Sequence, residues 1–160
     1  MYDFAAEPGL AKPETYRQMT EAALALTSGE DDHIANMANL AALIWQYLPD
    51  LNWAGFYRVV DKQLVLGPFI GKPACIRIPW GQGVCGTAAS TGQTQLVADV
   101  HAFPGHIACD AASASELVVP VWRNGVLIAV IDCDSPRIAR FDAEDAAGME
   151  AFAAAIAGHI

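Results

Sequence analysis

The strongest constraint on the fold is a hairpin signal in the second half of the chain. Two apolar runs rich in β-branched residues, 117–121 and 126–131, flank the dipeptide Asn124-Gly125. This dipeptide favours the tight two-residue turn that joins antiparallel strands. The sequence therefore predicts an antiparallel sheet, and helices elsewhere in the chain must pack on the faces of that sheet.

Patterns on both sides of the hairpin predict further helices and strands. One helix is expected over 13–28, before Gly29, and a second runs from an Asp31 or Asp32 cap to the break at Pro49. Asp142 is expected to cap the last helix. Strands are expected at 53–60, 63–68, 75–78 and 95–97, and a short helix follows the glycine-rich run 81–86. This order predicts an α+β two-layer domain with the N- and C-terminal helices on one face of the sheet.

Length and composition indicate one domain. The chain has 160 residues, of which 54% are hydrophobic, enough for one continuous core. Residues 1–12 are expected to be a loose lead-in to a single domain at 13–160. The formal charge of −9 argues against nucleic acid and anionic membranes as partners. Without a basic leader or a long apolar run, the protein is expected to be cytoplasmic.

The second predicted helix carries more apolar residues than one buried stripe requires. Beyond its core stripe it has Leu40, Leu43, Ile44 and Tyr47. We therefore expect part of this helix to meet a second copy of the chain, which would make the protein a homodimer.

Three cysteines lie in segments with a composition typical of loops or helix starts. Cys109 lies between His106 and Asp110 in a long stretch of small residues, and Cys75 and Cys85 lie upstream. In a small protein that is expected to be cytoplasmic, cysteines are more often reactive thiols than members of structural disulfides. Burial as a small apolar side chain is the alternative for each of them.

The fourth cysteine, Cys133, is expected in the core. By the period of two along a strand, it shares a face with Leu127, Ala129 and Ile131.

Three acidic residues gather around the hairpin. Asp132 and Asp134 share the other strand face with Ile128 and Val130, or Asp134 simply ends the strand at a turn. A two-residue turn would place Glu116 opposite Cys133, on the wrong face. A three-residue loop with a bulge would pair it with Asp132 and so build an acidic pocket. Such a pocket would retain a proton and would disfavour a free thiolate.

Two aromatic residues are candidates for a pocket wall. Trp53 and Tyr57 are four apart on a predicted strand and so face the same side, whether they line a pocket or pack in the sheet. A zinc site built from His101, His106, Cys109 and Cys85 is not expected, because no Cys-x-x-Cys couple is present.

Taken together, these motifs resemble the free methionine-R-sulfoxide reductases, a family of stand-alone GAF domains. The resemblance covers about residues 15–157. It is carried by the segments 52–57, 74–79, 83–88, 105–116 and 132–135. It implies a GAF-like domain with a loop-built pocket on the sheet face that the terminal helices leave open. Cys133 departs from the family pattern, which has an aliphatic residue between the two aspartates.

The resemblance also implies roles for the site residues. Cys109 would attack the sulfoxide sulfur of free methionine R-sulfoxide, and Cys75 would resolve the sulfenic acid to a disulfide, with Cys85 as a further recycling cysteine. Glu116, Asp132 and Asp134 would bind substrate and polarise its oxygen. The aromatic pair would enclose the methyl-sulfur end of the substrate. No cofactor is implied, and thioredoxin is the expected reductant.

Two other functions fit parts of the pattern. A non-catalytic GAF domain would bind a small molecule for signalling, although the negative charge suits a phosphate ligand poorly. A thiol redox sensor would oxidise Cys75 and Cys109 without turning over a substrate.

Overall fold

The computed structural model describes residue 4 and residues 6–105 and 110–160 of the chain. Cys109 and His106, the centre of the predicted reactive loop, lie outside the described residues. The helices are α1 (Lys12–Leu26), α2 (His33–Tyr47), α3 (Gly83–Thr91) and α4 (Ala143–Ile156), with a short 3-10 helix at Val100–Ala102. The strands are β1 (Trp53–Val60), β2 (Gln63–Gly71), β3 (Arg77–Ile78), β4 (Gln95–Val97), β5 (Ser115–Arg123) and β6 (Val126–Ser135).

The six strands form one antiparallel sheet in the order β3-β2-β1-β6-β5-β4. The predicted hairpin supplies β5 and β6 at its centre. Asn124 and Gly125 both have positive φ, +52° and +76°, as the tight turn requires. The antiparallel sheet is therefore confirmed, and its turn is the two-residue one.

A bulge in β6 changes the expected register. Val121 pairs with Ala129 and Trp122 pairs with Leu127, which leaves Ile128 as an extra residue on β6. Both registers considered from the sequence are consequently wrong, because neither includes a bulge within the strands. Glu116 lies opposite Asp134 instead.

The same bulge corrects two expected face assignments. Cys133, Ala129 and Ile131 lie in the core beneath the helices, but Leu127 packs on the other face of the sheet. Ile128 packs toward the helical core and not beside the aspartates. The alternation of two therefore holds only beyond the bulge, where the aspartates lie.

Three helices cover one face of the sheet, and α3 lies on the other. α2 packs on β1 and β2, α4 packs on β5, and α1 packs on α4 and α2. The expected placement of the N- and C-terminal helices is confirmed. The buried core between them and the sheet includes Met19, Leu40, Ile44, Phe56, Leu117, Met149 and Phe152. Within the described part of the chain, no helix has the length and apolar character needed to span a membrane.

Helix α2 does not offer the expected apolar face to a second subunit. Leu40, Leu43, Ile44 and Tyr47 are at most 6% exposed and belong to the core of this chain. Because these side chains are already buried, that argument for a homodimer is wrong. The homodimer itself stays a prediction.

Helices α1 and α4 meet at a glycine. A Cβ built on Gly148 would fall well inside contact distance of the Tyr16 ring. The Tyr16 hydroxyl donates a hydrogen bond to Asp145 Oδ1 (3.2 Å), and Lys12 Nζ lies 2.6 Å from Asp145 Oδ2. Asp145 also completes a capping box with Asp142, the predicted N-cap of α4. Gly148 thus permits the close approach that these polar contacts hold in place.

Candidate active site

A pocket lies on the α3 side of the sheet. Its lining includes Trp53, Tyr57, Lys72, Cys85, Glu116, Asp132 and Asp134. The ends of β1, β5 and β6 and the start of α3 supply most of these side chains. We call this cavity the acidic pocket.

One wall of the acidic pocket is aromatic. The Trp53 ring stacks with Tyr57 (centroids 5.8 Å apart) and with Phe69 of β2 (5.1 Å). Trp53 and Tyr57 are both buried, at 3% and 1% exposed, and they share a side as the strand period predicts. The Tyr57 hydroxyl donates a hydrogen bond to the Cys75 carbonyl oxygen (3.1 Å). This bond ties the wall to the loop that carries Cys75.

Carboxylates gather in the pocket beside the aromatic residues, since Trp53 of β1 pairs with Asp134 of β6. Glu116 of β5 and Asp132 of β6 are each 6% exposed, and Asp134 lies opposite Glu116 in the sheet register. Ligand atoms of Glu116, Asp132 and Cys85 lie within 4.8 Å of one another. The convergence expected of the three acids is therefore present, although the register that produces it was not foreseen.

Burial shifts the pKa of each of the three acids upward, and repulsion by neighbouring acids adds to the shift at Glu116 and Asp134. Burial, followed by the charges of Asp132 and Asp134, raises the pKa of Glu116 well above its usual value. Burial raises the pKa of Asp132 to about 6, with hydrogen bonds from Cys85 and Glu116 opposing part of that rise. Burial likewise raises the pKa of Asp134, and the charge of Asp132 adds to the effect. The pocket is therefore built to hold at least one proton near neutral pH.

The described cysteines occupy three different environments. Cys85 is buried at the start of α3, with its Sγ 4.0 Å from Glu116 Oε1, and burial followed by the adjacent acids raises its pKa. Cys75 is half-buried in the loop before β3. Cys133 is fully buried in the helical core, on the other face of the sheet. Its expected core position is confirmed.

A second polar network at the pocket mouth was missed in the sequence. Asp110 accepts hydrogen bonds from Lys72 Nζ (3.1 Å), Asn52 Nδ2 (3.2 Å) and the Ala112 amide (2.9 Å). Asn52 Nδ2 also donates to Ser113 Oγ (3.0 Å). These donors, with the Ala112 amide first, lower the pKa of Asp110. The sequence carries no periodic signal for this network, because its members lie in three separate loops.

Of the two histidines considered for a zinc site, His101 lies among the described residues and His106 does not. His101 is exposed, and its Nδ1 lies 2.9 Å from Asp99 Oδ1. Among the described residues, Cys85 groups with Glu116 and Asp132 and not with a histidine.

The GAF domain family matches residues 34–160 of this chain, and the six-stranded sheet with packed terminal helices is the fold of that family. The chain therefore belongs to the GAF domain family. Within that family it is closely related to free methionine-R-sulfoxide reductases.

Three similar proteins define this relationship. The free methionine-R-sulfoxide reductase of Escherichia coli (strain K12) is 51% identical, covering 86% of this chain and 84% of that protein. The free methionine-R-sulfoxide reductase of Neisseria meningitidis, solved in complex with its substrate, superposes with a TM-score of 0.93 at 39% identity, covering 99% and 95% of the two chains. A putative GAF sensor protein from Burkholderia vietnamiensis superposes with a TM-score of 0.90 at 58% identity, covering 94% and 96%.

Proposed function

We propose that this protein reduces free L-methionine (R)-S-oxide to L-methionine by thiol chemistry. The observation that carries the proposal is the acidic pocket, in which buried protonatable carboxyls, a stacked aromatic wall and the Cys75 loop lie next to one another. The close relationship of this chain to free methionine-R-sulfoxide reductases supports the same reaction.

The reaction oxidises two thiols of the protein to a disulfide. The Cys109 thiol gives up its proton as its sulfur bonds to the sulfoxide sulfur, and the sulfoxide oxygen takes up a proton. This oxygen then passes to the Cys109 sulfur as the new S–S bond and the former S–O bond break, so that methionine leaves and Cys109 becomes a sulfenic acid. The Cys75 thiol then displaces the hydroxyl of that sulfenic acid, which gives a Cys75–Cys109 disulfide and one water. An external dithiol, which we expect to be thioredoxin, reduces the disulfide, and Cys85 serves as a further recycling thiol.

The carboxyls have two tasks in this scheme. Glu116, whose pKa burial raises, remains protonated and donates a proton toward the sulfoxide oxygen as the S–O bond breaks. Asp132 and Asp134 receive the substrate ammonium group, whose positive charge offsets their mutual repulsion. A methionine within a peptide lacks that ammonium group and would leave these buried charges without a partner.

The remaining ends of the substrate have complementary partners. Trp53 and Tyr57 offer stacked ring faces to the methyl-sulfur end. Lys72 lines the pocket mouth as a cation and is suited to the substrate carboxylate, while Asp110 holds it in place.

A substrate panel tests the proposal. The protein is incubated with free methionine R-sulfoxide, the S epimer or a peptidyl sulfoxide, with thioredoxin or dithiothreitol as reductant. Turnover is expected of the free R form alone and is abolished in Cys109→Ser. In Cys75→Ser the first turnover should survive while recycling by thioredoxin fails. Full activity in Cys109→Ser would contradict the nucleophile assignment.

The same panel separates the two other functions. A small-molecule sensor would release no methionine from any substrate, and a thiol sensor would form the disulfide with a general oxidant but release no methionine. The homodimer and a cytoplasmic location also stay predictions, and analytical ultracentrifugation tests the first of them.

A further inference from the structure

The cluster formed by Cys85, Glu116 and Asp132 has the composition and spacing of a metal site. Its thiol and two carboxylates are all buried, and their ligand atoms lie within 4.8 Å of one another. A tetrahedral zinc ion with Zn–S and Zn–O bonds of about 2.3 and 2.1 Å would hold those two atoms about 3.6 Å apart. The observed separation of Cys85 Sγ and Glu116 Oε1 is 4.0 Å, so a shift of a few tenths of an ångström would bring this pair to that spacing, and a carboxylate oxygen of Asp132 lies within 4.8 Å of both atoms.

An unused acceptor at Asp132 points independently to a cationic ligand. This side chain is 94% buried and lines the pocket, yet its Oδ1 accepts no hydrogen bond from the described residues. Leaving a buried acceptor without a donor costs about 1–3 kcal/mol. In the described part of the chain, moreover, no lysine or arginine forms an ion pair with Asp132 or Asp134.

We propose that the reduced protein binds one thiophilic divalent cation, Zn²⁺ or Cd²⁺, through the Cys85 thiolate and the carboxylates of Glu116 and Asp132. The Cys85 S–H bond breaks as the metal–sulfur bond forms, Glu116 gives up the proton that it holds in the free pocket, and both protons are released to solvent. A water molecule in the acidic pocket would fill the remaining coordination position. A thiolate ligand selects these metals over Mg²⁺ and Ca²⁺, which require oxygen ligands and higher coordination numbers.

The cation would occupy the place that the substrate ammonium group takes in the proposed function. It should therefore inhibit the reductase in competition with free methionine R-sulfoxide. This inhibition rests on the proposed function, whereas cation binding does not.

Binding is tested without catalysis. The Cys75→Ser/Cys109→Ser variant keeps only the two buried thiols, Cys85 and Cys133. After reduction with a phosphine, which unlike dithiothreitol does not chelate the metal, Cd²⁺ is titrated by calorimetry and by the ultraviolet absorption of the cadmium–thiolate bond. We expect one equivalent, with a proton release and an affinity that rises with pH.

Matched variants assign the ligands. Adding Cys85→Ser should abolish the thiolate absorption and weaken Cd²⁺ binding at least 100-fold. Adding Asp132→Asn should weaken binding at least tenfold, and this variant retains every thiol should Cys85→Ser fold poorly. Adding Cys133→Ala, in the buried thiol on the opposite sheet face, should leave affinity within twofold. Retained thiolate absorption in Cys85→Ser, or the absence of any cadmium–thiolate signal in the folded double variant, would overturn the site.

The inhibition assay uses the wild-type protein. Zn²⁺ should raise the apparent KM for free methionine R-sulfoxide without changing kcat, and EDTA should reverse the effect. Inhibition that high concentrations of substrate do not relieve would contradict the inference that the cation and the substrate ammonium group occupy the same position. A protein that binds Cd²⁺ through Cys85 but reduces no sulfoxide would contradict the proposed function and leave the cation site standing.

Discussion

Glu116 on β5 lies directly opposite Asp134 on β6, so two carboxyl groups occupy neighbouring positions on the same buried face of the sheet. Like charges directly opposite one another destabilise an antiparallel pair. The arrangement is tolerated because burial keeps part of this cluster protonated. Because ionisation of both groups would destabilise the fold, this pair retains a proton that is available in the pocket.

Replacing Glu116 should remove the proton donor. In Glu116→Gln we expect kcat/KM for free methionine R-sulfoxide to fall about 10²–10⁴-fold, the usual contribution of a general acid. In the wild type, kcat/KM should decline as pH rises through the raised pKa of the cluster, because the donor is then ionised. That alkaline decline should be absent in the variant.

Measurements of kcat/KM over a broad pH range check this prediction. The exposed acid Glu21 offers a matched control, and Glu21→Gln should keep the wild-type profile. An alkaline limb that persists unchanged in Glu116→Gln would assign the proton to another group.

Asp132→Asn should stabilise the protein at neutral pH while impairing substrate binding. The folded pKa of Asp132, about 6, exceeds its usual value of 3.8. Its contribution to stability is therefore fully present below pH 3.8 and is lost as pH rises through 6. At pH 7 the variant should gain about 1–3 kcal/mol in the free energy of unfolding.

Urea unfolding at several pH values measures this effect. The gain should shrink toward zero below about pH 4, where the wild-type carboxyl is protonated in both states. A variant that is equally stabilised at pH 4 and pH 7 would show that the buried charge is not the cause.

Lys72 should matter for recognition of the substrate carboxylate. It lines the pocket mouth and is held 3.1 Å from Asp110. In Lys72→Gln we expect KM to rise about tenfold with a smaller change in kcat, since one charge-assisted contact is worth about 1.5–3 kcal/mol at most. Lys72→Arg keeps the charge and should restore most of the affinity.

Methionine sulfoxide amide, which lacks the carboxylate, distinguishes recognition from loop positioning. If Lys72 binds the carboxylate, Lys72→Gln and the wild type should have similar KM values for the amide. An equal loss on both substrates would instead indicate that Lys72 acts by holding Asp110.

Gly148→Ala should destabilise the fold through the contact of α1 with α4. The added Cβ would overlap the Tyr16 ring, and the ring is buried with its hydroxyl bonded to Asp145. Overpacking of this kind costs about 1–3 kcal/mol, enough to exceed the gain of about 1 kcal/mol that alanine brings to a helix.

Gly158 supplies the control, because a Cβ there meets nothing within 4 Å. Thermal unfolding should show a lower Tm for Gly148→Ala and a change within about 0.5 kcal/mol for Gly158→Ala. An unchanged Tm in Gly148→Ala would mean that the two helices can separate at no cost.

Much of the fold follows from local signals in the sequence. The Asn124-Gly125 turn, the Asp142 cap and the apolar periods predict the hairpin, the last helix and the sheet. The alternation of Asp132, Cys133 and Asp134 correctly separates pocket from core. Such signals suffice because each depends on residues near one another in the chain.

What the sequence does not predict depends on contacts across the chain. The bulge at Ile128 has no glycine or other local marker. The network around Asp110 joins three loops that only the folded sheet brings together. Apolar residues around α2 resemble an exposed interface until α1 and the sheet are seen to cover them. Each of these features is a property of packing and not of the local pattern.

The bulge at Ile128 also limits how this chain can change its length. It adds one residue between the turn and the aspartates and thereby sets which sheet face receives them. Deleting Ile128 alone would give a regular hairpin that keeps Glu116 opposite Asp134, whereas closing the bulge in the full-length strand would bring Cys133 opposite Glu116. The strand can therefore lose its bulge residue, but loss of a second residue before Asp132 would direct both carboxylates into the helical core and Cys133 into the pocket.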